Sequence, residues 1–172
     1  SGGYERCAQR HPELAEQTVV VDSFSKPWAM TGWRIGWLAA APALAAQIAK
    51  AHQYMVSSAP AFEMPAAASA LDVDPAPMLE TYRARRDRVV SALHTMGLSV
   101  VEPAGAFYVF PSIVGTGLTS EQFCTRAIEE AGVGLVPGTC FGTEGYVRLS
   151  YCVSDADLDE GLVRLERFVA GL

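Results

Sequence analysis

The stretch SFSKPWAMTGWRIGW, Ser23 to Trp37, sets one lysine, Lys26, between two serines and a bulky apolar run, and puts Arg34 eight positions later between Gly32 and Gly36. A lysine at a strand end beside Phe24, Trp28 and Met30 sits where desolvation favours the neutral amine, and a neutral amine attacks carbonyl carbon and forms a Schiff base with an aldehyde. Ser23 and Ser25 add hydroxyl donors. Arg34 adds a planar fork of N–H groups that matches the oxygens of a phosphate. Taken singly, a loop lysine reads as a side chain reaching water. With two serines and an arginine beside it, the same lysine also suits an imine with an aldehyde cofactor, and the residues alone leave both readings open.

The elements that must position these residues are legible from the hydrophobic pattern. Thr18 to Val21 reads as a strand apolar on both sides, of the kind found inside a covered sheet, and Arg34 to Ala41 as a second short strand after the loop. Pro42 to about Val56 has helical spacing through Leu44, Ile48, Ala51, His52 and Met55. Ala59 to Leu71 is an alanine-rich helical segment. The run DVDPAP, Asp72 to Pro77, breaks it, and Pro75 suits the start of a new helix that runs to Met96, with Met78, Leu79, Tyr82, Val89, Leu93 and Met96 on one stripe. Gly97 ends it.

The second half alternates more. Leu98 to Val101, Ala106 to Phe110, Val133 to Val136 and Gly145 to Tyr151 read as strands, and Thr119 to Ala131 as a helix capped by Thr119 or Ser120. Ser154 and Asp157 have capping-box spacing at the start of a last helix whose Leu158, Leu162, Leu165 and Val169 share a face. Helices on one side of a small, mostly antiparallel sheet are the economical packing. Alternation in GYVRLSY sends Arg148 to the face opposite Val147 and Leu149.

Composition narrows the class. A chain of 172 residues that is 50% hydrophobic and 19% charged is long enough for one or two cored domains. A net charge of −6 argues against a dedicated nucleic-acid partner, since phosphate-backbone affinity rests on clustered Lys and Arg. Arg83, Arg85, Arg86 and Arg88, interleaved with Asp87, read as a solvated helix face. Cys7, Cys124, Cys140 and Cys152 are too scattered for a zinc site or disulfide framework, so no metal is expected. No long apolar run suggests a membrane span, and a cytoplasmic location is expected.

SFSKPWAMTGWRIGW resembles the cofactor-lysine signature of the class I and II aminotransferases, pyridoxal-phosphate enzymes of fold type I. GAFYVFP and PGTCFGTEGYVRLSYCVSDADLDEGLVRL are similar to that family's small domain. The resemblance implies an α/β chain: the end of the large cofactor-binding domain over residues 1–73, then the small C-terminal α/β domain over 74–172. It implies pyridoxal 5'-phosphate as cofactor, bound covalently by Lys26, with Ser23, Ser25 and Arg34 on its phosphate. It assigns Arg148 to the substrate α-carboxylate and Phe107 to the substrate pocket. The partners implied are an amino acid and a 2-oxo acid, and a second copy in a homodimer.

Family members are longer. The region before residue 1 would supply a glycine-rich turn for the phosphate, an aromatic stacked on the ring and a carboxylate for the ring nitrogen. The expectation is therefore the C-terminal half of an aminotransferase, inactive alone. A carbon–sulfur lyase of the same fold and a non-catalytic interaction module are the alternatives.

Overall fold

The computed structural model describes residues 10–172, so Cys7 lies outside the described residues. The chain divides into two compact units, one ending at Pro75 and one spanning Ala76–Leu172. No helix among the described residues is long and apolar enough to cross a membrane.

The first unit is built on an antiparallel pair, β1 (Val20–Ser23) and β2 (Gly36–Ala39), in the register Val20↔Ala39, Val21↔Leu38, Asp22↔Trp37 and Ser23↔Gly36. The strand starts two residues later than the apolar pattern predicts. Thr18 is occupied by the preceding 3-10 turn, Pro12–Gln17: its N–H donates to Ala15 O (3.3 Å) and its Oγ1 to Leu14 O (2.8 Å). The pattern of a strand from inside a covered sheet stands here without that cover. Val21 is 76% exposed, because β2 is its only neighbour in the sheet among the described residues.

Two helices follow, α1 (Pro42–Val56) and α2 (Glu63–Ala70). Pro42 at the first turn has no N–H to leave unsatisfied there, and Ser57 at φ 64° turns the chain out of α1. The core of this unit is small: Phe24, Met30 and Ile35 from the β1–β2 connection meet Ala67 and Ala70 of α2, with Trp28, Trp37, Ala59 and Ala66 packed at its edge. The C-terminal end of α1 stays outside it, with Tyr54 and Met55 largely exposed.

The second unit carries the larger core. It comprises α3 (Ala76–Thr95), β3 (Tyr108–Val109), α4 (Ser120–Ala131), β4 (Val136–Pro137), β5 (Val147–Ser150) and α5 (Asp155–Ala170). The three strands form one antiparallel sheet in the order β3-β5-β4. Val89, Leu93, Ile113, Phe123, Val147, Tyr151 and Leu165, each at most 2% exposed, are the centre of one core to which the sheet, its connections and α3, α4 and α5 contribute. Burying a side chain of this size contributes about 1.5–3 kcal/mol, so this cluster is the main source of the unit's stability.

Local signals explain the helix ends. The Thr119 side chain accepts from Gln122 N (3.2 Å) while Gln122 Oε1 accepts from Thr119 N (3.0 Å), a complete capping box at the start of α4. Gly132 ends that helix in the left-handed region at φ 67°. Ser154 Oγ accepts from Asp157 N (3.1 Å) at the start of α5.

Three details depart from the sequence pattern. Leu98 to Val101 is not a regular strand: Leu98 is buried, and Ser99 O accepts from Ser112 N at 2.7 Å, but no ladder forms. The strand expected over Val133 to Val136 is Val136–Pro137, because Val133 N is taken up by Ala127 O (3.0 Å) at the end of α4. The arginine run of α3 is not simply solvated. Arg85 pairs with Asp155 (2.8 Å) and Arg88 with Asp159 (2.7 Å), tying α3 to α5, and the Arg85 side chain is only 16% exposed.

Candidate functional site

Ser23 closes β1, and the ladder runs one step past it: Phe24 N donates to Ile35 O at 3.3 Å. Continuing that register sets Ser25 across from Arg34, with Lys26 on the loop between them. Inside the loop, Ala29 N donates to Lys26 O (3.3 Å) and Trp33 N to Met30 O (3.2 Å), so the segment is a series of tight turns. Phe24 and Trp28 pack ring against ring at 5.2 Å, and Phe24 and Met30 are buried beneath the loop. The strand register sets Ser23 opposite Gly36 and, one step on, Ser25 opposite Arg34 at the base of the β1–β2 connection, with Lys26 the next residue in it.

Two backbone features belong to this turn. A Cβ on Gly36 would lie 2.7 Å from Asp22 O, so only glycine lets the two strands close opposite Ser23. Arg34 itself adopts φ 52°, ψ 35°, the left-handed region that non-glycine residues avoid. Ala29 does the same at φ 54°.

The donors fit a phosphate. Arg34 Nη1 donates to Thr31 O (2.8 Å), which anchors one corner of an exposed guanidinium and leaves the rest of the fork facing outward. Ser23 Oγ accepts from Ser25 N at 3.3 Å, so the Ser23 hydroxyl hydrogen remains available to a ligand oxygen. Lys26 is exposed. The desolvation expected from its apolar neighbours is not supplied by them, because Phe24 and Met30 face the core.

Arg148 and Phe107 lie in the second unit. Arg148 is on the central strand β5, half-buried between Val147 and Leu149, which are 1% and 8% exposed and point the other way. Its guanidinium carbon lies over two rings, Tyr108 at 4.4 Å and Phe141 at 4.6 Å. The ion pairs among the described residues join other arginines, and His11, to carboxylates and leave Arg148 out. Phe107 O accepts from Tyr151 N (3.1 Å), extending the β3–β5 pairing, and the Phe107 ring packs on Tyr108 (4.4 Å) and Tyr82 (6.3 Å).

Sequence reasoning missed three residues. Tyr108 and Phe141 are aromatics in an apolar context; the approach of Tyr108 to Arg148 appears only with the sheet register, and that of Phe141 only with the turn Gly138–Phe141. Glu63 begins α2 and is 8% exposed, yet its Oε2 has no hydrogen-bond partner among the described residues. An acid in an alanine-rich helix carries no sequence signal of burial.

The family profile of the class I and II aminotransferases matches residues 2–165. The chain belongs to that family. It is 50% identical over 161 residues to the probable N-acetyl-LL-diaminopimelate aminotransferase of Bacillus subtilis (strain 168), covering 91% of this chain and 41% of that protein. It is 42% identical over 164 residues to the aspartate aminotransferase of Pyrococcus horikoshii, covering 91% and 42%. The crystal structure of an aromatic aminotransferase from Pyrococcus horikoshii OT3 superposes with a TM-score of 0.84 at 41% identity, covering 91% of this chain and 44% of that one. The chain thus spans about two fifths of the length of these relatives, and its mixed helix and sheet architecture is that of the matching part of the fold.

Proposed function

We propose that the residues of this chain serve pyridoxal-phosphate-dependent transfer of an amino group between an amino acid and a 2-oxo acid. They do so in an assembly that also holds the region of the fold these 172 residues do not span. In this reading residues 1–73 complete a large cofactor-binding domain, 74–172 form the small domain, and the working protein is a cytoplasmic homodimer. The observation that carries the reading is the single turn at the end of β1, on which Ser23, Ser25, Lys26 and Arg34 follow from one strand register.

Each residue has a physical task. Arg34 holds the cofactor phosphate through the part of its fork not used by Thr31, and the Ser23 and Ser25 hydroxyls donate to the same group. Lys26 Nζ would hold the cofactor covalently and, once the substrate amine has displaced it, the freed amine would take the proton from the substrate Cα and return it. The bound cofactor supplies an electron sink for the bond broken at Cα. Arg148 fixes the substrate carboxylate, an orientation effect, and Phe107 lines the pocket.

The sequence holds two lysines, Lys26 and Lys50. Lys50, exposed on α1, is an internal control. Borohydride treatment of the protein with pyridoxal phosphate is expected to fix the pyridoxyl group on Lys26, and a label found by peptide mapping on Lys50 alone overturns the assignment. Arg34→Lys should weaken cofactor affinity about tenfold or more, the equivalent of about 1.5–3 kcal/mol for a lost charge-assisted hydrogen bond. Turnover that needs no 2-oxo acid acceptor would identify an eliminating lyase instead.

A further inference from the structure

Arg148 is a half-buried cation whose nearest described company is aromatic. The sheet register explains one ring. Tyr108 pairs with Ser150, and Ser150 shares a face of β5 with Arg148, so Tyr108 is the diagonal neighbour of Arg148 on that face. The other ring arrives on a rigid turn. Phe141 ends the 3-10 turn Gly138–Phe141, where a Cβ on Gly138 would lie 2.2 Å from Thr143 O and 2.5 Å from Tyr146 O. Gly142 follows at φ 73°, and its N–H donates to Thr139 O (3.0 Å). Phe110 braces the Phe141 ring edge-on at 5.9 Å and itself stacks on Tyr146 at 5.3 Å.

We propose that Tyr108 and Phe141 are positioning residues that clamp the Arg148 guanidinium by its faces and so present its N–H edge to a carboxylate. The inference rests on the reading of Arg148 as the carboxylate anchor. An arginine held by a protein carboxylate has its fork already engaged. One held by ring faces keeps its in-plane donors for a ligand, since the attraction acts on the π face and the hydrogen bonds lie in the plane. The clamp thus restricts rotation of the fork without occupying it, which lowers the ordering cost of binding.

The test uses the 172-residue chain and side-chain nitrogen NMR of Arg148, with succinate as the carboxylate probe. Phe141 is 47% exposed, so Phe141→Leu opens no core cavity. Slow rotation about the Arg148 Nε–Cζ bond is expected in the unsubstituted chain, with signals that shift on adding succinate. Phe141→Leu and Tyr108→Leu should speed the rotation and weaken succinate binding about twofold to thirtyfold, the span of measured cation–π attractions. Phe141→Tyr and Tyr108→Phe, which keep a ring, should restore both. Rotation that is fast from the start, or unchanged in the leucine variants, overturns the clamp. Slow rotation with signals indifferent to succinate, both in this chain and in an assembly that holds the rest of the fold, overturns instead the anchor reading on which the proposal stands.

Discussion

Replacing Glu63 with methionine should stabilise this chain, although most substitutions of a buried residue do the reverse. Glu63 is 8% exposed at the first position of α2, and its Oε2 has no hydrogen-bond partner among the described residues. An unsatisfied buried polar group costs about 1–3 kcal/mol, more if charged. A carboxylate at a helix N-terminus recovers about 0.3–1 kcal/mol from the aligned peptide dipoles. The orphan term wins. Methionine keeps the unbranched length and fills irregular space, so the packing penalty is small. The net expectation is a gain of about 0.5–2 kcal/mol.

Urea unfolding reads this directly. Trp28, Trp33 and Trp37 are the three tryptophans of the sequence and all lie in the first unit, so their fluorescence reports the unit that contains Glu63. With a slope of about 1 kcal/mol per molar urea for so small a unit, the midpoint should rise by about 0.5–2 M. Glu63→Gln, which removes charge but keeps a polar group without a partner, should gain less. A fall in the midpoint of Glu63→Met would refute the reasoning, because it would mean that the carboxylate is satisfied in solution.

Other outcomes are expected in the second unit. Hydrogen bonds from Ser120 N (2.7 Å), Ser120 Oγ (2.8 Å) and Gly145 N hold the Glu144 carboxyl below its usual range. A depressed folded value means that this contribution is complete above the unfolded value of about 4.3 and is lost as pH falls through the folded one. Glu144→Gln should therefore flatten the acid limb of a pH–stability curve, and an unaltered limb would remove Glu144 from that role. Burial, with a smaller effect from Cys140, pushes the Cys124 thiol up to about 11. Iodoacetamide at pH 8 should thus modify exposed Cys140 and spare Cys124 until the chain unfolds, as mass spectrometry of peptides would show. Gly138→Ala should destabilise the unit by about 1–3 kcal/mol, since its Cβ meets two backbone oxygens that cannot yield; a thermal midpoint equal to that of the unsubstituted chain would contradict the close approach.

What was legible in the sequence was chemistry carried by residue type at close spacing. Ser23, Ser25, Lys26 and Arg34 stand within twelve positions, and the two-stranded register that places Ser23 and the base of their connection is itself local. The caps at Thr119 and Ser154 were legible for the same reason, being settled within one helical turn. Long-range pairing was not. Leu98 to Val101 has a strand-like pattern, but whether a ladder forms depends on a neighbour far away in sequence. Tyr108 is separated from Arg148 by chain length that only the sheet order folds up, and Phe141 meets it through the shape of the turn Gly138–Phe141. Glu63 is acidic in a helix whose neighbours decide its burial, so local propensity pointed to solvent.

The left-handed backbone at Arg34 sets two demands on one position against each other. At φ 52° a residue with a Cβ gives up about 1–2 kcal/mol that glycine would not. Glycine at position 34 should make the loop more stable and leave it without its guanidinium. Variants of this chain selected for heat resistance alone are therefore expected to drift toward glycine or asparagine there, while those selected for anion capture should keep arginine and accept the weaker loop. Sequencing the survivors of the two selections would measure how much conformational strain a working position will tolerate in exchange for the group it carries.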